Sequence, residues 1–408
     1  MVVQWRRTKQ RFAGASLFNS PMRTPIKHIA TGIDVGTHAT RVVIMEHSRG
    51  EAPRIMGTGV SETRGLRAGY IIKKSDAVQS IEAAIEHAEK TAGIKIKNAI
   101  VSIGGVSLES AITHGVTISS RATEEIGDQD IKKVNDEAEK NLTHLVNRRV
   151  IYHMPVRYKL DGKEVLGDPH GMIGSKLEVK TFFVTCLEQH LNDLVEIVES
   201  LGIEVDKVVP SSIAAGRIAL NKKQRSVGCA LVNVGAETVS ISVFENDVPI
   251  SLQVFPIGST DITNDIALGL KIPLEEAEKI KISGGGGTYP KKKLEEIIEA
   301  RLCDIFELVE SHLKKVGRSG LLPAGIVLTG GGAGITTIED LAKAVLKLPS
   351  SLAHPAMLHG GKNPVKDSSW LVAYGLALYA LEKPTEPREP LFGGFWEGFK
   401  NALKPFLP

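Results

Sequence analysis

Apolar positions along the chain gather into short runs with a turn between them, and one such pattern occurs twice. IATGIDV from Ile29 and RVVIME from Arg41 read as two buried strands joined by a tight Asp-x-Gly-Thr turn. CALVNV from Cys229 and TVSISVFE from Thr238 repeat that strand, turn and strand, with Asn233 in the place of Asp34 and Gly235 in that of Gly36. A duplicated core follows. AGIVLT from Ala324 predicts a third buried strand, followed by a triple-glycine turn at Gly330, Gly331 and Gly332 and then by a helix. Helical spacing recurs in SDAVQSIEAAIEHAEKTAG, where Ser75 is the expected N-cap and Gly93 the stop, and in the charged stretch IGDQDIKKVNDEAEKNLTHLV. WLVAYGLALYAL from Trp370 is the longest apolar run. It falls short of the ~20 residues a bilayer crossing needs and predicts a buried helix.

The glycine turns carry chemistry. Without a Cβ the backbone can approach a ligand closely, successive amides form a concave anion site, and a threonine hydroxyl adds a donor. Phosphate is the natural occupant of the turns at Gly36 and Gly235. Bare backbone at Gly330 to Gly332 allows a flat ring or ribose to lie against a helix N-terminus. One such turn is weak evidence, because a plain hairpin explains it. Two copies in sequence order with a third glycine turn describe a nucleotide cleft between two α/β halves.

Composition narrows the class. The 408 residues suffice for two or three domains, and 42% hydrophobic with 24% charged residues is ordinary globular content. Cys186, Cys229 and Cys303 are isolated in sequence, which suits a reducing compartment and argues against a disulfide framework or structural zinc. The net charge of +3 is uneven: residues 1–27 hold six Lys or Arg and no acid, leaving −3 for the remainder. That leader reads as a basic arm that could touch anionic lipid, as a solvated tail, or as sequence upstream of a true start at Met22.

The order of the three turns resembles the actin, Hsp70 and sugar-kinase superfamily. RGLRAGYIIKKSDAVQSIEAAIEHAE, AIVSIGGVSLES, HMPVRYKLDG, VFPIGSTDITNDIALGLKIPLEEAEKIK and EARLCDIFELV are similar to the FtsA family of bacterial division proteins from about His28 onward. The resemblance implies an α/β, actin-like two-domain ATPase fold with duplicated mixed-sheet cores, an inserted 1C (SHS2-type) subdomain and a C-terminal amphipathic helix. It implies subdomain 1A over 28–105, 186–224 with the crossover, and 351–382; 1C over 106–185; 2A over 225–258 and 323–350; and a shortened 2B over 259–322. A basic leader occupies 1–27, a proline-rich linker 383–391 and the helix 392–408.

The resemblance also assigns roles. Gly36, Thr37, His38, Gly235, Ala236, Glu237 and Thr238 would hold the phosphates of ATP, and Gly330, Gly331 and Gly332 the adenosine. Glu278 and Lys281 would face ribose and base. Asp34 would hold Mg²⁺ through water, with Asn233 as its counterpart. The second turn departs from the family's Asp-x-Gly-Gly-Gly-Thr at Asn233, Ala236 and Glu237. Asn233 lacks the charge to attract a metal or deprotonate a water, and Glu237 would repel a triphosphate unless turned outward. Binding with weak or absent hydrolysis is therefore expected. The same departures leave a sugar kinase of this fold without a carboxylate base on that turn, and no chaperone-type substrate domain follows.

The expected partners are the FtsZ C-terminal peptide, with Arg301 at the matching basic position, further copies of the chain in a filament, other divisome proteins, and anionic lipids, with no nucleic acid. At about 100° per residue, Phe392, Phe395, Trp396, Phe399, Leu403 and Phe406 share an arc of about 100°, flanked by Lys400 and Lys404. Pro405 ends the regular helix. Such a segment would lie in a headgroup interface on the cytoplasmic face. A PilM-like adaptor of type IV pilus assembly is the alternative reading.

Overall fold

The structure is a computed structural model; it describes residues 27–48, 51–118, 125–143, 145–284, 289–353 and 367–381. In chain order the first half holds β1 (Lys27–Val35), β2 (Ala39–Ser48), β3 (Arg54–Glu62), the small hairpin β4 (Leu66–Arg67) and β5 (Tyr70–Ile71), α1 (Lys74–Ala92) and β6 (Asn98–Ile103). An insert follows, with β7 (Glu109–Ile118), α2 (Asp128–Lys140), β8 (Arg148–Leu160), β9 (Lys163–Val165) and β10 (Lys176–Leu187). The chain returns through α3 (Glu188–Ser200) and β11 (Glu204–Pro210) and crosses through α4 (Ser211–Ala219) and α5 (Lys222–Val227). The second half holds β12 (Cys229–Val234), β13 (Val239–Glu245), β14 (Val248–Phe255), α6 (Ser259–Leu270), α7 (Leu274–Ser283), α8 (Lys291–Lys315), β15 (Ile326–Thr329), α9 (Ile338–Leu346) and β16 (Ser350–Leu352), before α10 (Leu371–Leu381).

The duplication seen in the apolar pattern is complete in the sheets. One is ordered β11-β6-β1-β2-β3, the other β14-β13-β12-β15-β16. In each, the three strands of the repeated unit are antiparallel, and two further strands join the first of them in parallel. The repeated strands are buried on both faces, as Val42, Val43 and Ile44 or Leu231 and Val232 show, which is why they read as continuous apolar runs and not as alternation. The insert forms its own four-stranded sheet, β7-β10-β8-β9, with a separate core around Val134, Val179 and Phe183.

Helices α4 and α10 pack on each other, α10 against β1 and α4 against β12 and β13, so one core runs from Ile33 through Ala214 and Tyr374 to Leu231 and Phe244. Between 259 and 322 the described elements are the three helices α6, α7 and α8, and α6 and α8 bury Ile262, Ile266, Leu302, Ile305 and Phe306 in the core of the second half.

Three details differ from expectation. Helix α1 starts at Lys74 behind Lys73, which makes no side-chain cap; Ser75 lies inside the helix and its hydroxyl donates to Asp76 at 3.1 Å. The Gly93 stop is present, in the left-handed conformation glycine favours. The triple glycine does not open directly into a helix, because a 3-10 turn over Gly331–Gly334 intervenes and α9 begins at Ile338. The second sheet also extends past residue 350, since β16 runs to Leu352 on the edge of β15.

Candidate functional site

The first turn, Gly36 to His38, joins β1 to β2, and its His38 carbonyl accepts the Thr63 amide at 2.9 Å. Asp34, just before it, is buried and accepts the Ser102 hydroxyl at 2.7 Å, while that oxygen accepts the Val35 amide at 3.1 Å. Burial pushes the Asp34 carboxyl above its usual range, against the Ser102 hydrogen bond and the positive field of Arg41. Arg41 faces Asp34 across the ladder, and its guanidinium lies 5.8 Å from the Trp370 ring. Its buried Nε has no hydrogen-bond partner among the described residues. A donor of that kind awaits an acceptor.

The second turn, Gly235 to Thr238, joins β12 to β13. The Gly235 amide donates to the Thr238 carbonyl at 2.9 Å. The Gly235 and Ala236 carbonyls accept the Ser259 and Thr260 amides, at 2.9 and 2.8 Å, from the start of α6. Those helix-start donors therefore brace the turn. Glu237 is turned away from the turn's interior: its Oε2 accepts the amide of Ala68, at the tip of the β4–β5 hairpin in the other half, at 2.5 Å.

The glycines of the third turn have unequal reasons to be glycine. Gly330 has φ +90°, and a Cβ there would lie 2.3 Å from Asn233 Oδ1 and 2.5 Å from the Val234 carbonyl. A Cβ on Gly332 would meet Val234 Cγ1 at 2.5 Å, whereas Gly331 faces open space. Thus Gly330 and Gly332 let β12 and the turn close up, and Gly331 is bare, exposed backbone.

Glu278 and Lys281 form one polar ring with α6. Lys281 Nζ lies 2.7 Å from Glu278 Oε2 and donates to Thr263 Oγ1 at 2.8 Å and to the Ser259 carbonyl at 3.1 Å. The Thr263 hydroxyl donates to Glu278. Burial alone would raise the Glu278 carboxyl, but the Lys281 and Thr263 hydrogen bonds, with His38 adding from the first turn, hold it below the usual range. Glu278 is thus an ionised acceptor, oriented at the cleft side where His38 also sits.

Among the described residues no three His, Cys, Asp or Glu side chains converge to hold a metal by themselves. Asp34 and Asn233 each offer one oxygen-bearing side chain, the donor set of a largely hydrated hard ion. Arg301 lies outside the cleft. It is held by Asp265 of α6, at 2.6 and 3.1 Å, and by Asp304 at 3.2 Å, so its charge is already matched by two carboxylates. Phe392, Phe395, Trp396, Phe399, Lys400, Leu403 and Lys404, like the leader before Lys27, lie outside the described residues.

Sequence reading missed Arg41, Ser102, Thr263 and Ala68. Arg41 had a signal, an arginine inside a strand otherwise apolar enough to be buried. Ser102 and Thr263 are common small polar residues with none.

Two sheets of matching order, each with a glycine turn after its first strand and bridged by α4 and α10, define an actin-like α/β protein. Comparison with known sequences makes the class specific. Residues 230–375 match the family described as Cell division protein FtsA, and residues 105–185 the SHS2 domain inserted in FTSA. The chain is 30% identical over 378 residues to the cell division protein FtsA of Pseudomonas aeruginosa, covering 87% of this chain and 90% of that one. It is 32% identical over 380 residues to that of Borreliella burgdorferi, covering 88% and 92%. The chain belongs to the FtsA family of cell division proteins.

Among solved structures, the PilM–PilN type IV pilus biogenesis complex is similar with a TM-score of 0.66 at 16% identity, covering 87% of this chain and 99% of that one. MreB 5 of Spiroplasma citri bound to AMPPNP is similar with a TM-score of 0.51 at 12% identity, covering 93% and 99%. At those identities the likeness is one of fold, and the fold is one whose solved members include nucleotide complexes. No helix among the described residues is long and apolar enough to cross a membrane.

Proposed function

We propose that the cleft binds ATP with Mg²⁺, and that the chain assembles on the cytoplasmic membrane face as a tether for FtsZ and the septal machinery. The observations that support the cleft reading are the field of His38, in the first turn, at Glu278, the Arg41 Nε that has no partner among the described residues, and the open face of Gly331. Arg41 and the turn amides receive phosphate oxygens, Glu278 accepts ribose hydroxyls, and Lys281 keeps Glu278 ionised and oriented. Asp34 would hold a hydrated Mg²⁺ through water, and the ion would offset the charge of the phosphates. Asn233 has no carboxylate to deprotonate a water, and the Glu237 carboxylate is engaged by Ala68. Turnover is accordingly slow or absent. Titration of the full chain with a fluorescent ATP analogue tests this: saturable, magnesium-dependent binding without phosphate release is expected, and brisk release refutes the second half of the reading.

The membrane part of the proposal stands on the sequence of 392–408. Its two lysines are worth ~1 kcal/mol each near anionic lipid, so a single tail binds reversibly. A polymer presenting many tails raises avidity about 10²- to 10⁴-fold. Deleting residues 384–408 should abolish co-sedimentation with anionic vesicles, and retained binding would contradict the assignment. Absence of vesicle binding by the full chain would instead favour the adaptor function of a PilM-like protein, which needs no lipid-binding tail. For FtsZ, Arg301 would have to exchange Asp265 or Asp304 for a peptide carboxylate. Asp265→Asn should then strengthen FtsZ-peptide binding, and an unchanged affinity removes Arg301 from the interface.

A further inference from the structure

We infer that Glu237 is an interdomain latch: it ties the second glycine turn to the β4–β5 hairpin of the first half, and through it to the root of the inserted subdomain. The hairpin tip is Ala68-Gly69, with φ of +48° and +84°, the two left-handed residues of a tight two-residue loop. Alanine adopts that conformation reluctantly, so the tip must be held by its surroundings. From the second half it is held by the Glu237 carboxylate, a charge-assisted acceptor for the Ala68 amide across 169 residues of sequence.

On its own side the tip is clamped to the base of the insert. A Cβ on Gly69 would lie 2.5 Å from Gly105 Cα. The next residue, Tyr70, stacks on His190 with ring centroids 4.7 Å apart. Burial drives the His190 ring toward its neutral form, against a hydrogen bond to the Gly69 backbone. A neutral ring that donates to the Gly69 carbonyl has its other nitrogen free to accept, and Nδ1 takes the Ser107 hydroxyl at 2.7 Å. The Ser107 carbonyl in turn accepts from Arg148 at 2.6 Å, and Arg148 also holds Thr185 Oγ1 at 3.1 Å and Glu109 at 3.1 Å. Arg148 thereby fastens both crossing points of the insert.

The insert also meets the second half along the edge strand β14. There Ser110 Oγ donates to the Leu252 carbonyl at 2.7 Å and accepts the Leu252 amide at 2.9 Å. The second half is therefore tied to the hydrogen-bonded set at Glu237 and at Leu252, the latter by way of Ser110, the chain neighbour of the Arg148 partner Glu109. Moving the second turn relative to the first half breaks the Glu237 tie and loads the root of the insert. The cleft and the orientation of the insert become coupled by that set, whose members Ala68, Gly69, His190, Ser107 and Arg148 are in direct contact.

Amide hydrogen exchange on the nucleotide-free full chain tests this independently of any nucleotide reading. Glu237→Met, which keeps the length but removes the acceptor, should speed exchange of the Ala68 amide at least tenfold and raise exchange at 107–110 and 148–150. Glu237→Gln, which retains an acceptor oxygen, should stay within threefold of the parent. Exchange in β12 and β15, unchanged in both variants, verifies the fold. Unchanged exchange at Ala68 in Glu237→Met overturns the latch, and a change confined to 66–71 overturns the coupling to the insert. Because no ATP is present, failure of ATP binding in the parent chain would refute the proposed function and leave this result standing.

Discussion

The two halves share a sheet order but not a turn chemistry, and the contrast separates what the fold requires from what the cleft requires. In the first, Asp34 is buried, hydrogen-bonded to Ser102 and opposed by Arg41, an arrangement that carries charge without a resident partner for all of it. In the second, the corresponding Asn233 packs its amide oxygen against Gly330, and the turn's carboxylate reaches the other half. The carboxylate before the first turn is held within its own half, whereas that of the second turn ties the two halves together. Duplication preserved the strands, which the core demands, and released the turns, which it does not.

Exchanging the two equivalent positions gives the largest expected effect. Asp34→Ala should weaken magnesium-dependent ATP binding by a hundredfold or more, about the worth of two charge-assisted contacts, whereas Asn233→Ala should change it less than threefold; equal losses would erase the asymmetry. The nucleotide-free protein should respond in the opposite sense. Because the folded-state pKa of Asp34 is raised, the folded form binds its proton more readily than the unfolded chain. Stability therefore falls as pH rises from roughly 4, the ordinary carboxylate value, through the raised one. Asp34→Asn should accordingly raise the neutral-pH Tm, with the gain gone in acid.

Next in size is Gly330→Ala. Its φ of +90° and the 2.3 Å approach to Asn233 Oδ1 predict a loss of about 3 kcal/mol or more in denaturant titrations. Gly331→Ala, facing open space, should stay within ~0.5 kcal/mol yet weaken nucleotide binding. If both variants are equally stable, the glycines are not divided between packing and ligand as described.

An effect of similar total size, but spread over pH, concerns a buried serine–histidine pair in each half: Ser107 with His190 at 2.7 Å, Ser251 with His312 at 2.8 Å. Burial lowers the His312 ring to about 4, with Lys315 adding. A depressed folded pKa means that the unfolded chain takes the proton first. Stability is whole above the ordinary value near 6.5 and declines as pH falls toward 4, by up to about 1.4 kcal/mol per pH unit. His312→Gln should flatten that decline in urea melts at pH 4 to 7, leaving the part that belongs to His190.

Much of this was legible in the sequence because it is local. The repeated strands and their glycine turns, the stop at Gly93 and the buried run from Trp370 announce themselves within a few residues. The helix start was not, since Ser75 looks like a cap but Lys73 occupies that position, the cap being decided by where packing on β3 begins. Nor was the delay of α9 after the glycines. The contacts that decide the site are long-range: Glu237 with Ala68, Lys281 with Ser259 and Thr263, Arg301 with Asp265. Their partners are ordinary side chains or bare amides, which carry no pattern along a single chain.

Where α4 and α10 cross, Gly375 lies so near Ala214 that a Cβ would come 1.9 Å from its carbonyl oxygen, and Gly216 stands against the Phe244 ring at 2.8 Å by the same measure. These two helices join the halves through one continuous core, and α10 begins beside the third glycine turn, where the Ser368 hydroxyl donates to the Gly330 carbonyl at 3.4 Å. A single methyl at either glycine would push against a neighbour that has no room to give, so two residues without side chains set how closely the halves are joined.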